Sequence, residues 1–302
     1  MLLHAQIESN KRKTWLIAGG FLVFFALVGA SVGLLWFDNP VGGIVLAVIF
    51  GGIYIAIMMA TGTKVVMAMN SAREIRSEDE NPFLWNTVES LTIAARLPMP
   101  KIYIIEDPSP NAFAAGMSPK NAAVAVTRGL LDRLNRQEIE AVLAHEVAHI
   151  KNFDVRIATT AIALVAVISV LSDMVMRSMW YSSLGRSRNR RNSRQDNHPV
   201  MMIIALLVLV IAPLVAVLIQ LALSRNREYL ADASGAELCR NPMALASALR
   251  KISGIDEPVR RMAPSCAALY FADPTKKKRS RTNLFSTHPP VEERIRRLEQ
   301  MM

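Results

Sequence analysis

Two histidines four residues apart with a glutamate between them, His145, Glu146 and His149 in HEVAH, are the side chains of this sequence best suited to chemistry. On an α-helix, residues four apart share a face, so both imidazoles can bind one metal ion. Glu146 stands about 100° round the helix from His145 and is placed to take a proton from a water that the ion activates. Two neutral imidazoles, a third ligand from elsewhere, an open fourth position and a nearby carboxylate form the donor set of a zinc hydrolase. The plain alternative is a pair of structural histidines on a helix turn. Burying them beside a carboxylate on so apolar a helix would be costly without a metal.

A second helical pair, Glu228 and Asp232 in REYLAD, offers the missing ligand. One carboxylate of such a pair can bind the ion while the other orients a ligating histidine through its second ring nitrogen. The same spacing also fits an ordinary solvated helix face. Position favours the first reading, and it depends on the elements that carry these residues.

Four apolar runs, roughly 14–37, 41–60, 157–176 and 199–223, are each long enough to cross a bilayer, which takes about 20 residues. The first two are separated only by Asp38, Asn39 and Pro40 and predict a tight hairpin, with Trp15 and Trp36 at its interfaces. Gly29 and Gly33 form a GxxxG, a spacing that either lets a neighbouring helix approach closely or is incidental in a Gly-tolerant span. His149 lies shortly before the third run and Glu228 shortly after the fourth, so both sit within roughly 12 Å of the membrane end of their helices. A hairpin of those two runs brings the two motifs to the same side.

Between the hairpins, Asn81 to Leu97 reads as a helix, and KIYIIED, NAFAAG and NAAVAV read as short strands of a small β-meander. Asn135 with Glu138 three residues on is a capping box at the start of the HEVAH helix. Beyond residue 224, RNREYLADASGAELCR, MALASALRKI and PPVEERIRRLEQ read as helices. The predicted organisation is an N-terminal hairpin (1–60), a cytosolic part with HEVAH (61–156), a second hairpin with an Arg-rich loop at 177–198 (157–223), and a C-terminal cytosolic part (224–302). The fold class is thus a mostly α membrane protein with four transmembrane helices and a zincin-like α+β domain.

Composition agrees. The 302 residues are 52% hydrophobic, with a net charge of +10 and mean hydropathy of +0.26, which is too apolar for an ordinary soluble domain. The positive charge suits anionic headgroups. No aromatic-interleaved basic module accompanies it, so no nucleic-acid partner is expected. Cys239 and Cys266 lack metal-type spacing and read as packing thiols. The first apolar run is too long for a signal-peptide core and has no cleavage pattern at its end, so it is expected to remain as an anchor.

LAHEVAHIKNFD, SRNREYLADASGAEL, PNAFAAG and STHPPVEERIRRL together resemble the HtpX membrane zinc metalloproteases, relatives of the CAAX prenyl endopeptidases, over essentially the whole chain. The resemblance implies one zinc ion held by His145, His149 and Glu228, with Glu146 as general base and Asp232 behind a histidine ligand. It implies that His288 and Arg294 approach the substrate oxyanion. Asn111, Ala112, Phe113 and Ala114 would form an edge strand that holds an extended peptide by β-augmentation, although a plain buried strand fits the same residues. It further implies cleavage of misfolded or damaged membrane proteins and unfolded polypeptides in stress-related quality control, at the cell membrane with the site facing the cytosol.

One feature stands against four crossings: they leave the Arg-rich loop outside, contrary to the positive-inside tendency. Run length, and Trp180 with Tyr181 at an interface, favour four all the same. A metal transporter is disfavoured because the runs are almost free of ionisable residues. A catalytically inactive, zinc-stabilised membrane scaffold is the other alternative, although every expected catalytic residue type is present.

Overall fold

The computed structural model describes residues 3–184, 225–255, 257–260, 262–274 and 289–301. The chain starts with a helical hairpin, α1 (Leu3–Phe37) and α2 (Pro40–Met69). Asp38 turns the chain with φ 50°. Asn39 caps α2, its side chain accepting from Gly42 N over 2.9 Å, and Pro40 occupies the first helical position, where its missing N–H costs nothing. Gly29 and Gly33 of α1 face Gly43 of α2 so closely that a Cβ on Gly29 would lie 2.4 Å from the Gly43 carbonyl oxygen. The GxxxG is therefore the seam of this hairpin.

Among the described residues, Ile7–Leu34 and Pro40–Met69 are long and apolar enough to cross a membrane. Leu27, Val41 and Phe50 are among the exposed apolar side chains along them, a surface that hydrocarbon solvates better than water. The third predicted run lies within α6 (Asp154–Leu184), which continues as helix into the first residues of the predicted Arg-rich loop. The fourth run, 199–223, lies outside the described residues.

A four-stranded sheet follows: β1 (Arg73–Ile75), β2 (Lys101–Ile105), β3 (Ala112–Gly116) and β4 (Ala122–Thr127), with spatial order β1-β2-β4-β3. The predicted meander is corrected here. β2 pairs with β4 in parallel, β3 returns antiparallel on the outside of β4, and β1, which the sequence reading missed, adds an antiparallel edge to β2. The reason is burial: β3 and β4 are covered on both faces. Ile102, Ile104, Ala112, Ala114, Val124 and Val126 point into the core shared with the soluble helices. The alternate residues, including Tyr103, Ile105, Phe113 and Ala125, point to Val66 and Met67 of α2 and Ile162 of α6. The strand period of two thus sends successive side chains to the domain core and to α2 and α6.

On the first face lie α3 (Pro82–Ala95), α4 (Arg128–Arg133) and α5 (Arg136–Lys151), then α7 (Arg225–Cys239), α8 (Pro242–Ser253) and α9 (Val291–Glu299). A third cluster joins α1, α2 and α6 through Phe21, Ile55, Met58, Ile157 and Leu164. α5 passes into α6 through a short break in which Phe153 adopts φ 58°. Cys239 and Cys266 are both free thiols, the latter buried.

Candidate metal centre

The start of α5 is fixed by the predicted capping box. The Asn135 side chain accepts from Glu138 N over 2.9 Å, and Glu138 accepts from Asn135 N over 2.8 Å. Ser247 and Lys251 of α8 also donate to Glu138, over 2.7 and 2.8 Å, which fixes the rotation of α5 against its neighbours. α7 lies directly on α5 because residue 235 is glycine: a Cβ there would stand 2.9 Å from both N and Cα of His145. That close approach carries Glu228 and Asp232 over the two histidines.

His145 Nε2 and His149 Nε2 are 3.1 Å apart. Glu228 Oε2 is 3.9 Å from His145 Nε2, and Oε1 is 3.6 Å from His149 Nε2. Ligand atoms about 2.0–2.2 Å from a tetrahedral zinc stand roughly 3.4 Å from one another. The donor set of these three residues, which the geometry groups as one candidate cluster, therefore fits such an ion in chemistry and in spacing.

A carboxylate stands behind each imidazole. Asp232 Oδ1 is 3.0 Å from His145 Nδ1, off the straight line of a full hydrogen bond. Asp154 Oδ2 is 3.1 Å from His149 Nδ1. A proton held at each Nδ1 leaves the Nε2 lone pair for a metal. Asp154 was not singled out in the sequence. The signal was its place five residues after His149 in HIKNFD, where the helix break turns it back onto the ring.

Arg294 is buried against this group. It donates from Nε and Nη2 to the two oxygens of Asp232 over 2.8 and 2.7 Å and from Nη1 to Phe271 O over 3.0 Å. Its Nη1 also lies 3.6 Å from Glu228 Oε2. A guanidinium at 1% exposure with this many acceptors balances two buried carboxylates. His288 lies outside the described residues.

Burial is the largest influence on His145, Glu146, His149 and Asp232; it sets the direction for the first two, and charged partners reverse it for the last two. Burial takes His145 down to about 4 and Glu146 up to about 7. It also pushes His149 down, but the hydrogen bond with Asp154 and the charge of Glu228 outweigh it and bring the group to about 9. For Asp232 burial pushes up, whereas the charge and hydrogen bonds of Arg294 win and leave it at about 2. Among the described residues, the buried Glu146 Oε2 has no hydrogen-bond partner. Glu146 faces a small cavity of about 40 Å³ lined also by Ala114, His149, Glu228 and Leu269, room for about one water.

β3 is an edge strand, and Ala114 brings it to the cavity. Its outer side from Asn111 to Phe113 is paired with the chain itself. Asn111 exchanges hydrogen bonds with Ala272, donating over 2.9 Å and accepting over 3.2 Å. Phe271 N donates to Ala112 O over 2.8 Å, and Phe113 bridges Tyr270. Further on, Thr159 Oγ1 accepts from Gly116 N over 2.9 Å.

The model of peptidase family M48 matches residues 78–302. A protease HtpX homolog of Listeria monocytogenes serotype 4a is 50% identical over 304 aligned positions, spanning 99% of this chain and 100% of the relative. The protease HtpX homologs of Ligilactobacillus salivarius and Leuconostoc citreum are 48% and 49% identical, each over 99% of this chain and 100% of the relative. Among solved structures, Ste24p of S. mikatae shares the fold with a TM-score of 0.51 at 19% identity, covering 98% of this chain and 67% of that one. The matched model and these full-length relatives show that the chain belongs to peptidase family M48, as a membrane metalloprotease of the HtpX type.

Proposed function

We propose that the chain is a zinc endopeptidase of the cell membrane, with its site on the cytosolic side, that cuts misfolded or damaged membrane proteins under stress. The observation that carries this reading is the convergence of His145 Nε2, His149 Nε2 and the Glu228 carboxylate, all within 4.8 Å of one another, beside the buried Glu146. Two imidazoles and a carboxylate suit zinc. Held by these three residues, the ion would supply Lewis acidity to the scissile carbonyl and to the attacking water.

The chain's own residues account for the rest. Glu146 accepts the proton of the water and passes it to the leaving nitrogen, and a carboxyl raised to about 7 suits both transfers at neutral pH. Asp232 and Asp154 hold the two imidazoles in orientation. Arg294 keeps Asp232 ionised and offsets the charge of Glu228. No covalent intermediate with the protein is needed. An extended substrate laid along β3 at Ala114 would bring its carbonyl beside Glu146. To bind along Asn111, Ala112 and Phe113 as well, it would have to displace Tyr270–Ala272.

Topology follows the same logic. Lys11, Arg12 and Lys13 precede the apolar part of α1, and Lys64 lies near the end of α2, so all stand on the side of the hairpin that carries the site. Positive charge on that side supports a cytosolic orientation. Four crossings are the proposed arrangement, the last of them expected from sequence alone at 199–223, outside the described residues.

The test is cleavage of an unfolded protein by the detergent-purified, zinc-loaded chain, wild type beside Glu146→Gln. We expect cutting by the wild type alone, with zinc retained in both. Equal cutting by both would remove Glu146 as the base, and no cutting by either would favour an inactive scaffold.

A further inference from the structure

α1 reaches the candidate metal centre through one buried amide. Asn10 stands just ahead of the apolar stretch of α1 and is fully buried. Its Nδ2 donates to Asp154 Oδ1 over 2.7 Å and to Asn152 O over 2.9 Å. The other oxygen of the same carboxylate, Asp154 Oδ2, lies 3.1 Å from His149 Nδ1. One carboxylate therefore holds a membrane helix with one oxygen and a histidine of the site with the other.

The junction it grips is one that needs support. α5 ends at Lys151 and α6 begins at Asp154, and between them Phe153 is held at φ 58°, a region costly for a residue with a side chain. α1 closes over this break at two further points. Lys11 Nζ is 5.3 Å from the centre of the Phe153 ring, and the Arg156 guanidinium is 5.7 Å from the Trp15 ring. Within α1 itself, Thr14 Oγ1 donates to Asn10 O over 2.9 Å, a bond that leaves the Asn10 amide side chain untouched. Packing alone would be served as well by leucine. A buried polar side chain here is costly unless its hydrogen bonds are made, and the bonds it makes run toward His149.

We propose that Asn10 is a positioning residue of the metal centre. It fixes the plane of the Asp154 carboxylate, which in turn fixes the ring of His149, so that α1 is part of the metal site as well as its anchor. This rests on the reading of His149 as a metal ligand. A carboxylate held at only one oxygen can rotate about χ2 and carry the imidazole with it, whereas a donor on the second oxygen removes that freedom. Displacing α1 from the α5–α6 junction should therefore loosen His149 and weaken metal binding without touching a ligand.

The experiment uses the full chain in detergent and two readouts other than turnover. Zinc affinity is measured by competition with a chromogenic chelator, and ligand geometry by the visible spectrum of the Co²⁺-substituted protein. The variants are Asn10→Ala, the nearly isosteric Asn10→Leu, Asp154→Ala, the double Asn10→Ala/Asp154→Ala, Thr14→Val and His149→Ala. Both Asn10 variants should weaken zinc binding about tenfold, the low end of losses at partners behind metal ligands, and should alter the cobalt spectrum. The double variant should bind zinc no worse than Asp154→Ala, because Asn10 acts through Asp154. Thr14→Val should match the wild type. If Asn10→Ala does not fold, Asn10→Leu, which keeps the volume and removes the polar amide, decides the matter. Wild-type affinity and spectrum in the Asn10 variants would overturn the proposal, as would a further loss in the double variant. Wild-type affinity in His149→Ala would instead remove the metal-ligand reading itself.

Discussion

The guanidinium of Arg294 closes on the carboxylate of Asp232 through two hydrogen bonds of 2.8 and 2.7 Å, although 62 residues separate them in the chain. This fork ties the last described helix to the element that supplies Glu228. Truncating one member of a buried ion pair leaves the other charge unpaired and costs about 3–5 kcal/mol. Arg294→Leu should therefore lower the midpoint of thermal unfolding clearly and reduce zinc retention. Arg294→Lys should recover little, since an ammonium cannot make the fork. Differential scanning of the detergent-purified variants measures both, and an unchanged midpoint in Arg294→Leu would count against the pairing.

Glu228 and Glu146 should separate metal binding from chemistry. Glu228→Ala removes a ligand and is expected to lose both zinc, by elemental analysis after dialysis, and cleavage. Glu146→Gln removes a base and should lose cleavage alone. Normal activity in Glu228→Ala would end its assignment as third ligand.

Gly235 has no chemistry of its own, yet its replacement should disable the site. Because a Cβ would stand 2.9 Å from the His145 backbone, Gly235→Ala must push α7 away from α5. Overpacking of this kind costs about 1–3 kcal/mol. The expected result is a folded protein with weakened zinc binding, visible as a raised dissociation constant that exceeds the change in stability. Tight zinc binding in Gly235→Leu would refute this account of the interface.

In the metal-free chain His149 is raised to about 9, despite burial, by Asp154 and Glu228. Its proton adds stability that is fully present below its ordinary value of about 6.5 and disappears as pH rises through about 9. Zinc needs the neutral ring, so binding at neutral pH must expel this proton. Affinity should rise up to about tenfold per pH unit between roughly pH 7 and 9 and then level off. Calorimetry in buffers of different ionisation enthalpy counts the proton released. A pH-independent affinity over that window would contradict the assignment.

The local elements were legible in the sequence because backbone geometry imposes its own periods. HEVAH and REYLAD show the four-residue recurrence of a helix face. Asn135 with Glu138 shows the spacing of a capping box, and Asp38, Asn39 and Pro40 between two apolar runs leave no room for anything but a tight turn. The strands over 101–105, 112–116 and 122–127 were also visible as short β-type runs.

Only the tertiary structure decided which of these elements meet. The parallel pairing of β2 with β4 comes from the need to cover two faces of an alanine-rich sheet, and no neighbouring residues encode it. The pairing of Arg294 with Asp232, of Asn10 with Asp154 across 144 residues, and of Asn111 with Ala272 across 161 has the same origin. Each is a buried polar group that must find a partner once apolar packing has excluded water. Spacing along the chain can show that a side chain faces inward. Which distant group it finds there is settled by the packing of the whole molecule.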